Sequence, residues 1–131
     1  MATNTAGTVA RDYNKQMIHY LRKRMTYNGD LSVDVGVLPA GALIVPNASG
    51  AFVTTAFAGG TPQTLDIGYA DDADEYASAL VLTTAGQIEL DVETDLLVPA
   101  DRTITATLTA GATPSAGVLS VVIAYIPDND G

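Results

Sequence analysis

From residue 31 onward the sequence breaks into short runs of alternating apolar and polar residues, each closed by glycine, proline or asparagine. This rhythm limits the fold more than any other property of the chain. DLSVDVGV sets Leu31, Val33, Val35 and Val37 on one face at period two, and Leu38-Pro39-Ala40-Gly41 interrupts it before ALIV at 42–45. PNASG then leads into AFVTTAF, and AGGTPQ into TLDIGY, where Leu65, Ile67 and Tyr69 alternate with Asp66 and Gly68. Two further strands are expected at 79–83 and 87–92. RTITATLT alternates Ile104, Ala106 and Leu108 with threonine, and after AGATPSAG the chain runs through GVLSVVIAYIP until Pro127 and the tail DNDG stop it. About eight short strands at spacings of roughly 8 to 12 residues predict an all-β protein, an antiparallel β-sandwich most simply built as a jelly roll. VLSVVIAYI, apolar at nearly every position, is expected to be a central strand covered on both faces, or one used in assembly.

A chain of 131 residues has room for one sizeable core. No apolar run reaches the roughly 18 to 20 residues of a membrane span. MATNTAGTVARDY has no apolar stretch before a cleavage site, so the expectation is a soluble protein made in the cytoplasm. Cysteine is absent, which removes disulfides, thiolate nucleophiles and the usual structural zinc sites.

Charge divides the chain in two. Five of the six bases (Arg11, Lys15, Arg22, Lys23, Arg24) lie in the first 24 residues against Asp12, whereas the remainder holds Arg102 against fourteen acids. The balance is +4 before residue 25 and −13 after it, together the net −9 of the chain. An acidic body repels a phosphate backbone, so nucleic acid is not an expected partner and only the basic segment could touch one. Aromatic residues are few and Trp is missing, which argues against base-stacking or sugar-stacking surfaces. Asn28-Gly29-Asp30 is a turn signal, so the division expected is a basic N-terminal arm over 1–29 and a β-sandwich over 30–131.

Residues 12–25 can be drawn as a short helix, with Tyr13, Met17, Leu21 and Met25 recurring every fourth position and Thr8 or Asp12 as cap; an extended arm fits as well. A helix of that length is marginal alone and needs a surface to lie on. Two readings follow. The segment packs on its own sandwich, with its bases solvated or paired to the acidic body. Alternatively it docks on a neighbouring subunit through Arg11, Lys15, Met17, Tyr20, Leu21, Arg22, Lys23, Arg24 and Met25.

Catalytic chemistry finds little to work with. His19 is the one histidine, and Ser32, Ser49, Ser78, Ser115 and Ser120 lack a nucleophile-elbow context. In ELDVETD the acids Glu89, Asp91, Glu93 and Asp95 alternate with other residues, as on the wet face of a strand. DDADEY concentrates Asp71, Asp72, Asp74 and Glu75, but an EF-hand loop counted from Asp72 puts Ala77 where glycine is needed and Thr83 where glutamate is needed. A solvated loop or one helical turn, with Tyr76 and Ala77 tucked inward, is the expectation there. Gly59-Gly60 reads as a turn and not as a phosphate loop. No catalytic residue, cofactor or metal is implied.

The succession VGVLPAGALI, VTTAF, TLDIGYADDADEYA, TTAG, ITATLT and SAGVLSVVIAYIP, over residues 35–127, resembles small virion proteins of tailed bacteriophages that decorate or cement the capsid shell. The resemblance implies a non-enzymatic β-sandwich, often a homotrimer, on the capsid surface of the virion. Its partners would be the major capsid protein and neighbouring copies of itself, with terminal arms reaching them. Related head-tail connector or tail components share such phrases, and a carbohydrate- or calcium-binding adhesion module is the alternative from another class.

Overall fold

The computed structural model describes residues 18–60, 62–91, 96–111 and 113–127. Among the described residues nine strands follow one another: β1 (His19–Thr26), β2 (Ser32–Leu38), β3 (Leu43–Ile44), β4 (Gly50–Ala58), β5 (Thr64–Tyr69), β6 (Asp72–Val81), β7 (Gly86–Glu89), β8 (Arg102–Thr109) and β9 (Ala116–Ile126). A 3-10 turn, Pro46–Ala48, separates β3 from β4. One sheet has the order β1-β9-β4-β7, with β3 paired to the end of β9, and the other has the order β2-β8-β5-β6.

The pairing is nested. Leaving the two-residue β3 aside, the first strand pairs with the last, β2 with β8, β4 with β7 and β5 with β6, all antiparallel. The chain is thus one long hairpin doubled back at Ala70-Asp71 and then rolled, so that β9 also pairs with β4 and β8 with β5. That is the jelly roll expected of the strand rhythm.

Period-two burial builds the core between the sheets. On β8, Ile104, Ala106 and Leu108 are buried while the intervening threonines are half-buried or exposed. They face Leu65 and Ile67 of the same sheet's neighbouring strand and Leu119, Val121 and Ile123 of β9 in one continuous cluster. Each fully covered aliphatic side chain contributes about 1.5 to 3 kcal/mol.

Three stretches depart from the sequence expectations. In β2 the register shifts between Asp34 and Gly36. This bulge turns the face over, so Val35 and Leu38 are buried whereas Val37 is 54% exposed, and Leu31 lies outside the strand and half exposed. DDADEY is neither a loop nor a helical turn: Tyr69 pairs directly with Asp72, and β6 starts there. Tyr76 and Ala77 do point inward and are fully buried. β6 absorbs the strand expected at 79–83, and β7 ends at Glu89, with 92–95 outside the described residues.

The third departure is β1. Residues 19–26 form neither a helix nor a free arm; they are an edge strand hydrogen-bonded along β9 from His19↔Tyr125 to Thr26↔Val118. The four-residue recurrence that draws Leu21 and Met25 onto one helical face also puts them on one face of a strand, because four is even. The bare edge of β9 decides between the two, since its backbone groups need partners. The Asn28-Gly29 turn is present, with the Gly29 amide donating to the Thr26 carbonyl at 3.2 Å, but it joins β1 to β2 within the sandwich. Residues 18–29 therefore belong to the same packed unit as the strands after residue 30. Tyr13, Arg11, Lys15 and Met17 lie outside the described residues.

Candidate docking surface

Alternation along β1 separates its candidate residues. Met25 is 3% exposed and joins the core, and Leu21 packs against it. Tyr20, Arg22 and Arg24, in register with Ala124, Val122 and Ser120 of β9, stand on the outer face of the sheet. Lys23 is exposed at the edge, where a charge discourages another strand from adding.

Those outer residues adjoin an open depression of about 460 Å³ bounded by Tyr20 and Arg22 of β1, Ser120 and Val122 of β9, and Phe52 and Thr54 of β4. Its shape follows from register. Gly50 lies opposite Val122 and Phe52 opposite Ser120, so small residues in the middle leave a floor between the Tyr20–Arg22 wall and Phe52. The Arg22 guanidinium is held over this floor, its Nε and Nη2 donating to Ser120 Oγ at 3.4 and 3.3 Å. A guanidinium has five N–H donors, so others remain for an incoming acceptor. Tyr20 is 63% exposed. Among the described residues no ion pair engages Arg22, Lys23 or Arg24. The face is apolar and cationic together.

Arg102 has a different place. It stacks at 3.8 Å over the Tyr69 ring and donates through Nη1 to the Tyr76 hydroxyl at 2.6 Å, bracing the turn end of the β5–β6 hairpin. The tip of that hairpin carries the acids. Asp74 is pushed above the ordinary carboxylate value by its hydrogen bond to Asp72 and by that neighbour's negative charge, while Asp72 is pulled below it, chiefly by the same hydrogen bond. Among the described residues no three acidic or imidazole groups converge as ligands for a metal ion.

The remaining polar side chains serve the fold. Ser49 is fully buried, donating to the Val45 carbonyl at 2.7 Å and accepting from the Ala124 amide at 2.9 Å. His19 leans on the Tyr125 ring, centroids 5.7 Å apart, and its buried Nε2 has no hydrogen-bond partner among the described residues. No serine meets it.

Sequence reasoning picked out Tyr20 and Arg22 but not Phe52, Thr54, Ser120 or Val122. The alternation in AFVTTAF, with Ala51 and Val53 buried, is the signal that puts Phe52 and Thr54 on the opposite face. Nothing local says that they lie beside Tyr20.

No protein-family model and no curated protein matches this chain. Among solved structures, it is similar to a chain of the capsid asymmetric unit of cyanophage Pam1, with 22% sequence identity and a TM-score of 0.62. The match covers 96% of this chain and 98% of that one. At this identity what is shared is the fold, nearly end to end.

Proposed function

We propose that the protein is a non-catalytic structural component of a phage capsid, made in the host cytoplasm, that binds the outside of the shell and stabilises it. The observation that carries this reading is the near-complete two-way coverage of the fold likeness to a chain from a cyanophage capsid. Fold alone does not assign function, and the surface adds independent support. An open depression on the β1–β9–β4 sheet mixes aromatic, aliphatic and guanidinium groups as protein contacts do. Several copies on one lattice gain strength through effective concentration even when each contact is weak.

The test is a virion assembled without the protein and challenged by heat. Decoration requires that such heads release their DNA at a lower temperature than the wild type, and that added purified protein restores the difference. Heads that hold their DNA as well as the wild type, with infection failing at attachment, would place the protein in the tail instead.

A further inference from the structure

We propose that the outer face of the β1–β9–β4 sheet receives a second copy of this chain, whose acidic β5–β6 hairpin, with Asp71, Asp72 and Asp74, seats against Tyr20, Arg22 and Arg24. This deepens the reading above by naming a partner surface, yet it stands on the isolated protein and needs no shell.

Charge complementarity selects the occupant. Arg22 and Arg24 project from one sheet with no ion pair among the described residues. The groups acting on Asp72 and Asp74 are each other, other acids, Ser78 and a backbone amide, with no cation among them. One copy cannot join its own two surfaces, because the hairpin belongs to the β2-β8-β5-β6 sheet and the arginines point away from it across the core. Between copies the shapes also suit: a two-residue turn gives a narrow tip, and the depression of about 460 Å³ is open to solvent beside an exposed Tyr20 ring. Pairing of two β1 edges is the competing mode, and it would set Arg22, Lys23 and Arg24 against their own copies. Unlike surfaces in contact make a heterologous interface, which either closes into a ring or runs on.

The test uses the full-length protein in sedimentation velocity with two charge reversals. One carries Arg22→Glu and Arg24→Glu; the other carries Asp71→Lys, Asp72→Lys and Asp74→Lys. The wild type is expected to self-associate at high micromolar concentration, and each reversal alone to weaken association roughly tenfold or more, since like charges then face each other. Mixed in equal amounts, the two variants regain association, because each supplies the complement the other lacks. Tyr20→Ala, which leaves every charge in place at a residue 63% exposed, weakens association without changing the thermal midpoint. Far-ultraviolet circular dichroism confirms that each variant keeps the β-sheet spectrum. A wild type that stays monomeric, reversals that associate as the wild type does, or two folded variants that remain apart when mixed would each overturn the proposal.

Discussion

Met25 and Arg24 are adjacent in sequence and opposite in environment: the first is 3% exposed inside the core cluster, the second is exposed on the outer face. Met25→Ala should lower the free energy of unfolding by about 2 to 5 kcal/mol, the range for emptying a packed site. Arg24→Ala should move it by no more than about 0.5 kcal/mol. Urea titration of the two variants tests the core placement of Met25 against the outer placement of Arg24. The hairpin acids give a prediction in pH. Asp74 titrates above its ordinary 3.8, so the stability it contributes is present below that value and lost as pH rises through its folded-state value. Asp72 is shifted the other way; its contribution is present above 3.8 and lost as pH falls through the lowered value. Asp74→Asn mimics the protonated carboxyl. It should raise the melting temperature slightly at pH 7, with the gain disappearing below about pH 3.8 because the wild-type group is then protonated too. An equal gain at pH 3 and pH 7 would mean that the two carboxyls do not act on one another.

At the scale of elements, β1 is the informative case. A chain over 18–131 keeps β1 whole and serves as the reference for a deeper truncation. Removing residues 1–27 takes away a ladder of eight residue pairs on β9 along with the burial of Leu21 and Met25. That shorter chain should lose its cooperative melt or aggregate through the exposed edge of β9, as circular dichroism and light scattering would report. A 28–131 chain that melts like the full-length protein would show β1 to be dispensable. The same element marks where reading the sequence succeeds and fails. RTITATLT alternates strictly and becomes β8 over Arg102–Thr109 with the expected residues inside. VLSVVIAYI, apolar at nearly every position, lies inside its sheet with β1 and β4 along its two edges. Spacing by four could not tell strand from helix in β1, and the bulge at Asp34–Gly36 reverses which valine of β2 faces the core. Tyr20 and Arg22 were legible from charge and pattern. The depression beside them was not, because its walls and floor come from strands that only the sheet order makes neighbours.

Across the whole molecule, nested pairing has a kinetic consequence. β9 lies between β1 and β4 in the middle of its sheet but is the last strand in the chain, and β1 must find it across most of the sequence, His19 opposite Tyr125. Loop-closure entropy for such contacts is lost before their burial offsets it, so folding should be a single slow event on the scale of about milliseconds to seconds, as in other sandwiches with long-range pairing. A chain lacking residues 116–131 should not fold, having lost the partner of β1, β3 and β4 together. Native-state hydrogen exchange then distinguishes two ways for the basic segment to engage a neighbour. If β1 is a full member of the sandwich, its amides bonded to β9 exchange only through global unfolding, with the same denaturant dependence as those of β8. Contact with a neighbour then goes through the outward side chains Tyr20, Arg22 and Arg24 on an intact strand. Amides of β1 that open at much lower denaturant, ahead of β8, would describe a detachable strand, and donation of the whole strand to another subunit would become the simpler mechanism. The buried Met25 and the unbroken register from His19 to Thr26 favour the first outcome.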